Sequence, residues 1–259
     1  MKAKKDGWLV VLTTELKYLW LRGQAPLLLL IFSLFMSAYI ILLALDPEMN
    51  VLSPEKMTNA TLQITILSGI VMVVLLNANA ISGERDQRSL ESLLLTPLPR
   101  GEIVIGKLLA SLSIWLGMLP ISIPYLLLVA RGTGVANQVV ALLLTTGSLL
   151  VAISAGIGML ISSVAHSNLV SFTASFATIL LLAAPNQLPP SVKEIPLAKF
   201  FIMLNPITAI ANYQASILDG ATLFAEAFSL LSPIIFLTAL ALWMPKYFNR
   251  RLSLEGGLK

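Results

Sequence analysis

Between Arg131 and Lys193 the chain runs for 61 residues, 132–192, without a single Asp, Glu, Lys or Arg. An ordinary soluble domain carries about one charged residue in four, so water is the wrong solvent for this stretch. Two further charge-free runs, 57–83 and 108–130, are each long enough to cross about 30 Å of hydrocarbon as a helix. With 57% hydrophobic and 12% charged residues and a mean hydropathy of +0.87, the composition agrees: this is an integral membrane protein of the all-α class. Its 259 residues hold several spans but leave no room for a soluble enzyme domain of about 100 to 150 residues. A single transmembrane domain over 1–259 is expected. Cysteine is absent, which removes disulfides, thiolate metal sites and cysteine nucleophiles. The net charge of +4 reflects basic residues on cytoplasmic loops, and no nucleic-acid partner is expected.

In chain order, residues 1–25 begin basic at Lys2, Lys4 and Lys5 and then become amphipathic. Trp8, Leu9, Leu12, Leu16, Leu19 and Trp20 fall on one helical face, with Thr13, Thr14 and Lys17 opposite and Val10 and Leu21 as exceptions. With Tyr18 also at the headgroup level, this predicts a helix lying in the membrane interface. The following apolar run is too long for the core of a cleavable signal peptide. The first span covers 26–45, with Pro26 where a helix start tolerates proline and Asp46, Pro47 and Glu48 closing it. The second covers 57–83, where Gln63, Asn77 and Asn79 are expected to face protein or water. The third covers 108–130 and contains Pro120 and Pro124, which are expected to bend it.

The long uncharged interval suits two spans joined by a turn at 162–168. Small residues recur at helical spacing before it (Ser148, Ala152, Gly156) and after it (Ser167, Ser171, Ser175), predicting backbone-to-backbone packing of these two spans. Residues 185–226 are proline-rich at Pro189, Pro190, Pro196 and Pro206 and hold two apolar pieces, 195–204 and 207–218. Each is too short to span, which predicts short re-entrant or interfacial helices before the last span. A sixth span at 227–245 precedes the basic tail Lys246, Arg250, Arg251 and Lys259. With six spans, thirteen Lys and Arg fall on one side and Lys56, Arg131, Lys193 and Lys199 on the other, which predicts that both termini are cytoplasmic.

The spans lack chemistry that a self-powered carrier uses. No Asp, Glu, Lys or Arg lies centrally in any of them, so the energy source is expected outside the chain. The single histidine, His166, has no neighbouring carboxylate or second imidazole and reads as a solvated turn residue. Gly101 to Lys107 imitates the phosphate-binding pattern G-x-x-x-x-G-K, but Leu108 stands where its Ser or Thr belongs, and the segment leads into a membrane span instead of following a buried strand. Nucleotide binding by this chain is therefore not expected.

Residues 83–107 hold eight of the thirty charged residues and must lie in water. Within them, 84–95 predicts a short helix with Ser82 as its cap and Pro97 as its stop. Leu90, Leu93 and Leu94 form an apolar face, and Glu84, Arg85, Asp86 and Arg88 give a charged start whose members can pair along the helix. Such a helix can seat in a groove of another protein or pack on its own membrane domain.

The run Gly83-Glu84-Arg85, Leu90-Glu91, Leu93-Leu94, Thr96-Pro97, Arg100, Glu102-Ile103 and Gly106-Lys107 resembles the cytoplasmic-loop signature of ATP-binding cassette (ABC) type-2 permeases. The six-span layout fits, and Asn205-Pro206 in the segment before the last span is similar too. Where many members have Gly-Thr before the Leu-Glu pair, this chain has Arg88-Ser89. The resemblance implies a permease that dimerises with a second permease protomer, identical or different, in the plasma or inner membrane, each half bound to an ABC ATP-binding subunit. ATP and Mg would be held by that partner, with no cofactor in this chain, and most such permeases are exporters. By the same resemblance 83–107 is a cytoplasmic coupling loop, in which Glu84, Arg85, Arg88, Leu90, Glu91, Leu93 and Leu94 contact the ATPase, and 1–25 is an interfacial elbow. Segment 185–226 lies on the outer side, with Phe201, Leu204, Asn205 and Pro206 as outer-gate candidates. Two other readings compete: an ATP-independent channel or carrier, disfavoured by the missing intramembrane charges, and a non-transporting anchor that passes ATPase motion to an envelope partner, disfavoured by the small extracytoplasmic loops.

Overall fold

The computed structural model describes residues 7–45, 53–87, 98–189, 192, 195–196, 202, 204–222 and 227–251. Eight helices carry these residues: α1 (Gly7–Leu21), α2 (Gln24–Leu45), α3 (Pro54–Asp86), α4 (Arg100–Val129), α5 (Ala136–Val164), α6 (Asn168–Ala183), α7 (Pro206–Leu218) and α8 (Leu231–Arg251). No strand occurs among the described residues. Six helices, all but α1 and α7, are long and apolar enough to cross a membrane, so the all-α, six-span class holds.

Burial separates central from peripheral helices. In α3 and α5, 50% and 61% of the most apolar window is buried, against 17% in α2, α6 and α8. α2 has the highest hydropathy of the six yet exposes Leu27, Leu30, Ile31, Leu34, Phe35 and Leu42. A soluble monomer does not present so continuous an apolar face; hydrocarbon is the solvent that suits it. The inner side of α2 is fastened to α4 by a hydrogen bond between Ser37 Oγ and Tyr125 Oη at 2.7 Å.

The main core is built from Leu62, Ile66 and Val73 of α3, Ile114 and Met118 of α4, and Leu142, Leu143 and Val151 of α5. Trp115 packs closely against two glycines: a Cβ on Gly69 would stand 2.3 Å from the indole, and one on Gly147 would stand 3.1 Å from it. Its Nε1 donates to Ser148 Oγ at 3.0 Å. At this level α5 widens into a π turn over Leu143–Gly147, and Thr146 Oγ1 accepts a hydrogen bond from Gln214 Nε2 of α7 at 2.8 Å. Thr146 lies ten residues into α5, about 15 Å along it at 1.5 Å per residue. The 13-residue α7 therefore contacts α5 well inside that helix and not at its end. Most of the companion piece, 195–204, lies outside the described residues.

Several boundaries differ from expectation. The predicted helix at 84–95 does not start at Glu84, and Ser82 is not its cap: α3 continues unbroken to Asp86, and Ser82 donates to Ala78 O within it. Likewise α4 begins at Arg100, well before the charge-free run, and α8 continues through Pro245 to Arg251. Charge marks where a helix leaves hydrocarbon, whereas the hydrogen-bond ladder has no reason to stop there. The small residues of α5 do not all meet α6. Ser148 serves Trp115 of α4, and a Cβ on Gly156 would stand 2.2 Å from Leu240 of α8. Ser171 and Ser175 of α6 are fully buried. α4 runs as one helix through both Pro120 and Pro124.

Candidate functional site

At one end of the bundle the termini of α3, α4, α5, α6 and α8 come together, with α1 packed on α4, and this charged end holds Gly83, Glu84, Arg85, Arg100, Glu102, Ile103, Gly106 and Lys107 of the resemblance. Its assembly starts with glycine. A Cβ on Gly106 would stand 2.7 Å from Val11 Cβ and 3.0 Å from Trp8 O, so only a bare backbone lets α1 lie this close to α4. Gly101, on another face of α4, does the same for α8, where a Cβ would stand 3.0 Å from Pro245 O. Gly101 N donates to Asn249 Oδ1 of α8 at 2.8 Å, supplying an acceptor for an N-terminal N–H that Pro99 cannot cap. The two glycines that imitate a phosphate loop thus lie inside a helix and seat two neighbouring helices.

The contact of α1 with α4 is electrostatic as well as steric. Lys107 Nζ lies 2.6 Å from Glu15 Oε1 of α1 and 2.6 Å from Glu84 Oε1 of α3. Lys107 is only 9% exposed, and an ammonium buried to that degree requires such partners. The inner face of α1 is therefore rotated from the expected one. Trp8, Val11, Leu12, Glu15, Leu16 and Leu19 turn inward, while Leu9 is exposed. Trp20, about one third exposed, donates from Nε1 to Ser113 Oγ of α4 at 3.0 Å. Beside the ion cluster lies a cavity of ≈ 340 Å³ lined by polar groups that include Asn79, Gln87, Gln24 and Ser111.

Opposite this cluster, Arg85 reaches the end of α5. Its guanidinium donates to Ala165 O and, at 3.0 Å, to Ser163 O. Asp86 Oδ2 accepts from Asn168 N at the start of α6 at 2.8 Å. Ser162 Oγ accepts from Ser82 N at 3.0 Å and donates to Ala78 O at 2.7 Å, closing the α3–α5 contact. His166 is exposed in the turn between α5 and α6, and among the described residues no cluster of metal-ligating side chains exists. Farther along α3, Asn77 is fully buried and donates to Ser111 Oγ of α4 at 2.7 Å, while Asn79 lines the cavity and Gln63 is exposed.

Of the residues singled out from sequence, Glu84 and Arg85 are brought into this assembly. Arg88, Leu90, Glu91, Leu93 and Leu94 lie outside the described residues, as does Phe201. Leu204, Asn205 and Pro206 gather at the other end. Asn205 caps α7, its Oδ1 accepting from Ile207 N at 2.9 Å, and its Nδ2 donates to Leu182 O of α6 at 2.6 Å. Ser232 Oγ of α8 donates to Leu204 O at 3.0 Å. Asn205 and Pro206 are buried, while Leu204 is exposed in an apolar groove of ≈ 880 Å³ between α7 and α8. Sequence reasoning missed that Glu15 and Lys107 join Glu84 in one cluster. One signal was present: Glu15 is the only acid in the amphipathic stretch of α1.

Fold and charged end together define a multi-pass membrane protein whose spans are tied at one end by buried polar contacts. The sequence model of the family described as "ABC-2 family transporter protein" matches residues 25–251, and the chain belongs to that family. The match covers all six spans and begins after α1. Among curated proteins, none matches the chain. Members of this family are the membrane component of a transporter and not its ATPase.

Proposed function

We propose that this chain is the permease subunit of an ABC exporter, moving cargo with energy from ATP hydrolysed in a separate subunit and catalysing no reaction itself. The observation that carries the reading is family membership over all six spans, joined to the position of the family-like segment: it directly follows the last turn of α3, where Glu84 and Arg85 are tied to neighbouring helices. A force applied to residues 88–97 therefore arrives at a point bound to the rest of the bundle. In this reading Leu90, Leu93 and Leu94 anchor the segment in a groove of the ATPase, Arg88 and Glu91 orient it, and ATP and Mg reside in that partner. Two such chains, or this chain and a similar one, enclose the route. The charged end faces the cytoplasm of a plasma or inner membrane, and α7 with Leu204, Asn205 and Pro206 forms the exit gate.

The test combines coupling with topology. In vesicles holding the complex, Leu93→Ala with Leu94→Ala should release the ATPase subunit or abolish cargo-stimulated hydrolysis while the spans still insert, since each buried leucine lost costs about 2 to 5 kcal/mol of packing. Single cysteines are clean reporters in a chain without native ones. Ser53→Cys should react with an impermeant thiol reagent from outside intact cells, and Ser92→Cys only after permeabilisation. External labelling at Ser92, or full coupling by the double variant, would overturn the reading.

A further inference from the structure

Three successive charged side chains in the last turn of α3 go to three different neighbours. Glu84 binds Lys107 of α4, which also holds Glu15 of α1. Arg85 donates to carbonyls at the C-terminal end of α5, and Asp86 accepts from the first N–H of α6. The signs suit the ends they touch, since unpaired carbonyls at a helix C-terminus attract a cation and unpaired N–H groups at an N-terminus attract an anion. Consecutive residues on a helix stand 100° apart, so three of them fan over a wide arc and can grip helices on different sides of α3. The turn at 164–167 is thereby held from α3 at both its edges, beyond the local cap that Ser167 provides through Val170 N. Charge-assisted hydrogen bonds of this kind are shorter and stronger than neutral ones, which suits the transfer of displacement between rigid elements.

We propose that Arg85 and Asp86 are positioning residues that make the 164–167 turn follow the coupling segment, so that one pull moves the α5–α6 pair as well as α4. The inference rests on the reading of 83–107 as the coupling segment. It adds that motion leaves this segment by two branches, the Lys107 branch to α1 and α4 and the Arg85/Asp86 branch to α5 and α6. The exposed turn residue His166 then reports on the second branch.

The experiment uses membrane vesicles from cells that make the full complex, arrested with Mg-ATP and orthovanadate or left without nucleotide. Thiol-labelling rates are read at Ser92→Cys in the coupling segment and at His166→Cys in the turn. In the parent background both rates should change on arrest. With Arg85→Gln and Asp86→Asn together, the change at Ser92→Cys should persist and the change at His166→Cys should be lost. Arg85→Lys, which keeps a cation at the end of α5, should restore part of it, whereas a residue that only stabilises the fold would not separate the two reporters. Span insertion, checked by Ser53→Cys labelling from outside, excludes simple unfolding of the variants. A response at Ser92 with none at His166 in the parent, or an undiminished His166 response in the neutralised pair, overturns this inference alone. No response at Ser92 in the parent overturns the coupling reading and this inference with it.

Discussion

Lys107 and Glu15 lie 92 residues apart in sequence and 2.6 Å apart in space, and this ion pair fixes α1 to the bundle. Glu84 completes the cluster at the same distance. Removing the cation leaves two partly buried carboxylates facing each other, and breaking a buried pair by deleting one partner costs about 3 to 5 kcal/mol. Lys107→Met should therefore lower the thermal midpoint in detergent strongly. Glu15→Gln should cost about 1 kcal/mol or less, because Glu84 still serves the lysine and the Glu15 side chain is 28% exposed. A Lys107→Met protein that melts with the parent would show that the pair contributes nothing.

Close approach at Gly106 gives a second prediction. Helix propensity alone favours alanine over glycine by about 1 kcal/mol. The added Cβ would stand 2.7 Å from Val11 Cβ and 3.0 Å from Trp8 backbone, and overpacking of this kind costs about 1 to 3 kcal/mol. The clash should win, so Gly106→Val destabilises the protein and lifts α1 from α4. Limited proteolysis at the exposed Lys17 should then be faster than in the parent. Unchanged cleavage would mean that α1 is not seated through this glycine.

The spans were legible because hydrocarbon imposes one requirement, a long charge-free run, and five such runs hold the six spans, the 61-residue one holding two. That 207–218 forms a helix too short to span was legible for the same reason, and it is the 13-residue α7. Helix ends were not, because charges at 84–86, 100–107 and 246–251 were read as boundaries of helices when they bound only the hydrocarbon. The ion cluster was hidden by its arithmetic. Glu15 and Lys107 belong to segments read separately, one as an interfacial helix and the other as a loop, and only the packing allowed by Gly106 brings them together. Arg85 and Asp86 were found by type and charge, but the partners that define them are backbone groups, which no side-chain pattern announces.

Between α5 and α7, Thr146 and Gln214 test how much a buried polar pair contributes. Both are almost fully buried, at 0% and 2% exposure, and Gln214 Nε2 donates to Thr146 Oγ1 at 2.8 Å. Stranding a buried donor costs about 1 to 3 kcal/mol in soluble proteins, while polar pairs between membrane helices average about 0.6 kcal/mol. Thr146→Val should thus cost about 1 kcal/mol. Adding Gln214→Leu should return stability toward the parent, since removal of both polar partners is close to neutral. A double variant less stable than Thr146→Val would assign the role to the shape of Gln214 instead of its amide. Thermal unfolding of the three proteins in one detergent decides.

Asn205 does two separable jobs, and substitutions can divide them. Its Oδ1 caps α7 by accepting from Ile207 N, while its Nδ2 donates to Leu182 O and so latches α7 to the end of α6. Asn205→Asp keeps the cap and removes the latch, and it sets a carboxylate near a carbonyl oxygen. Asn205→Ala removes both. Loss of a cap costs about 0.5 to 2 kcal/mol, and the unanswered Leu182 carbonyl adds to it, so the expected order of stability is parent, then aspartate, then alanine. Hydrogen exchange should separate the contributions by place: protection in the first turn of α7 should fall only with alanine, and protection around the end of α6 should fall with both. If α7 gates an exit, both variants should also raise its opening and speed the labelling of a cysteine placed at Thr208, a residue that is almost fully buried. Labelling of that cysteine at the parent rate in both variants would remove Asn205 from the gate and leave it as a cap alone.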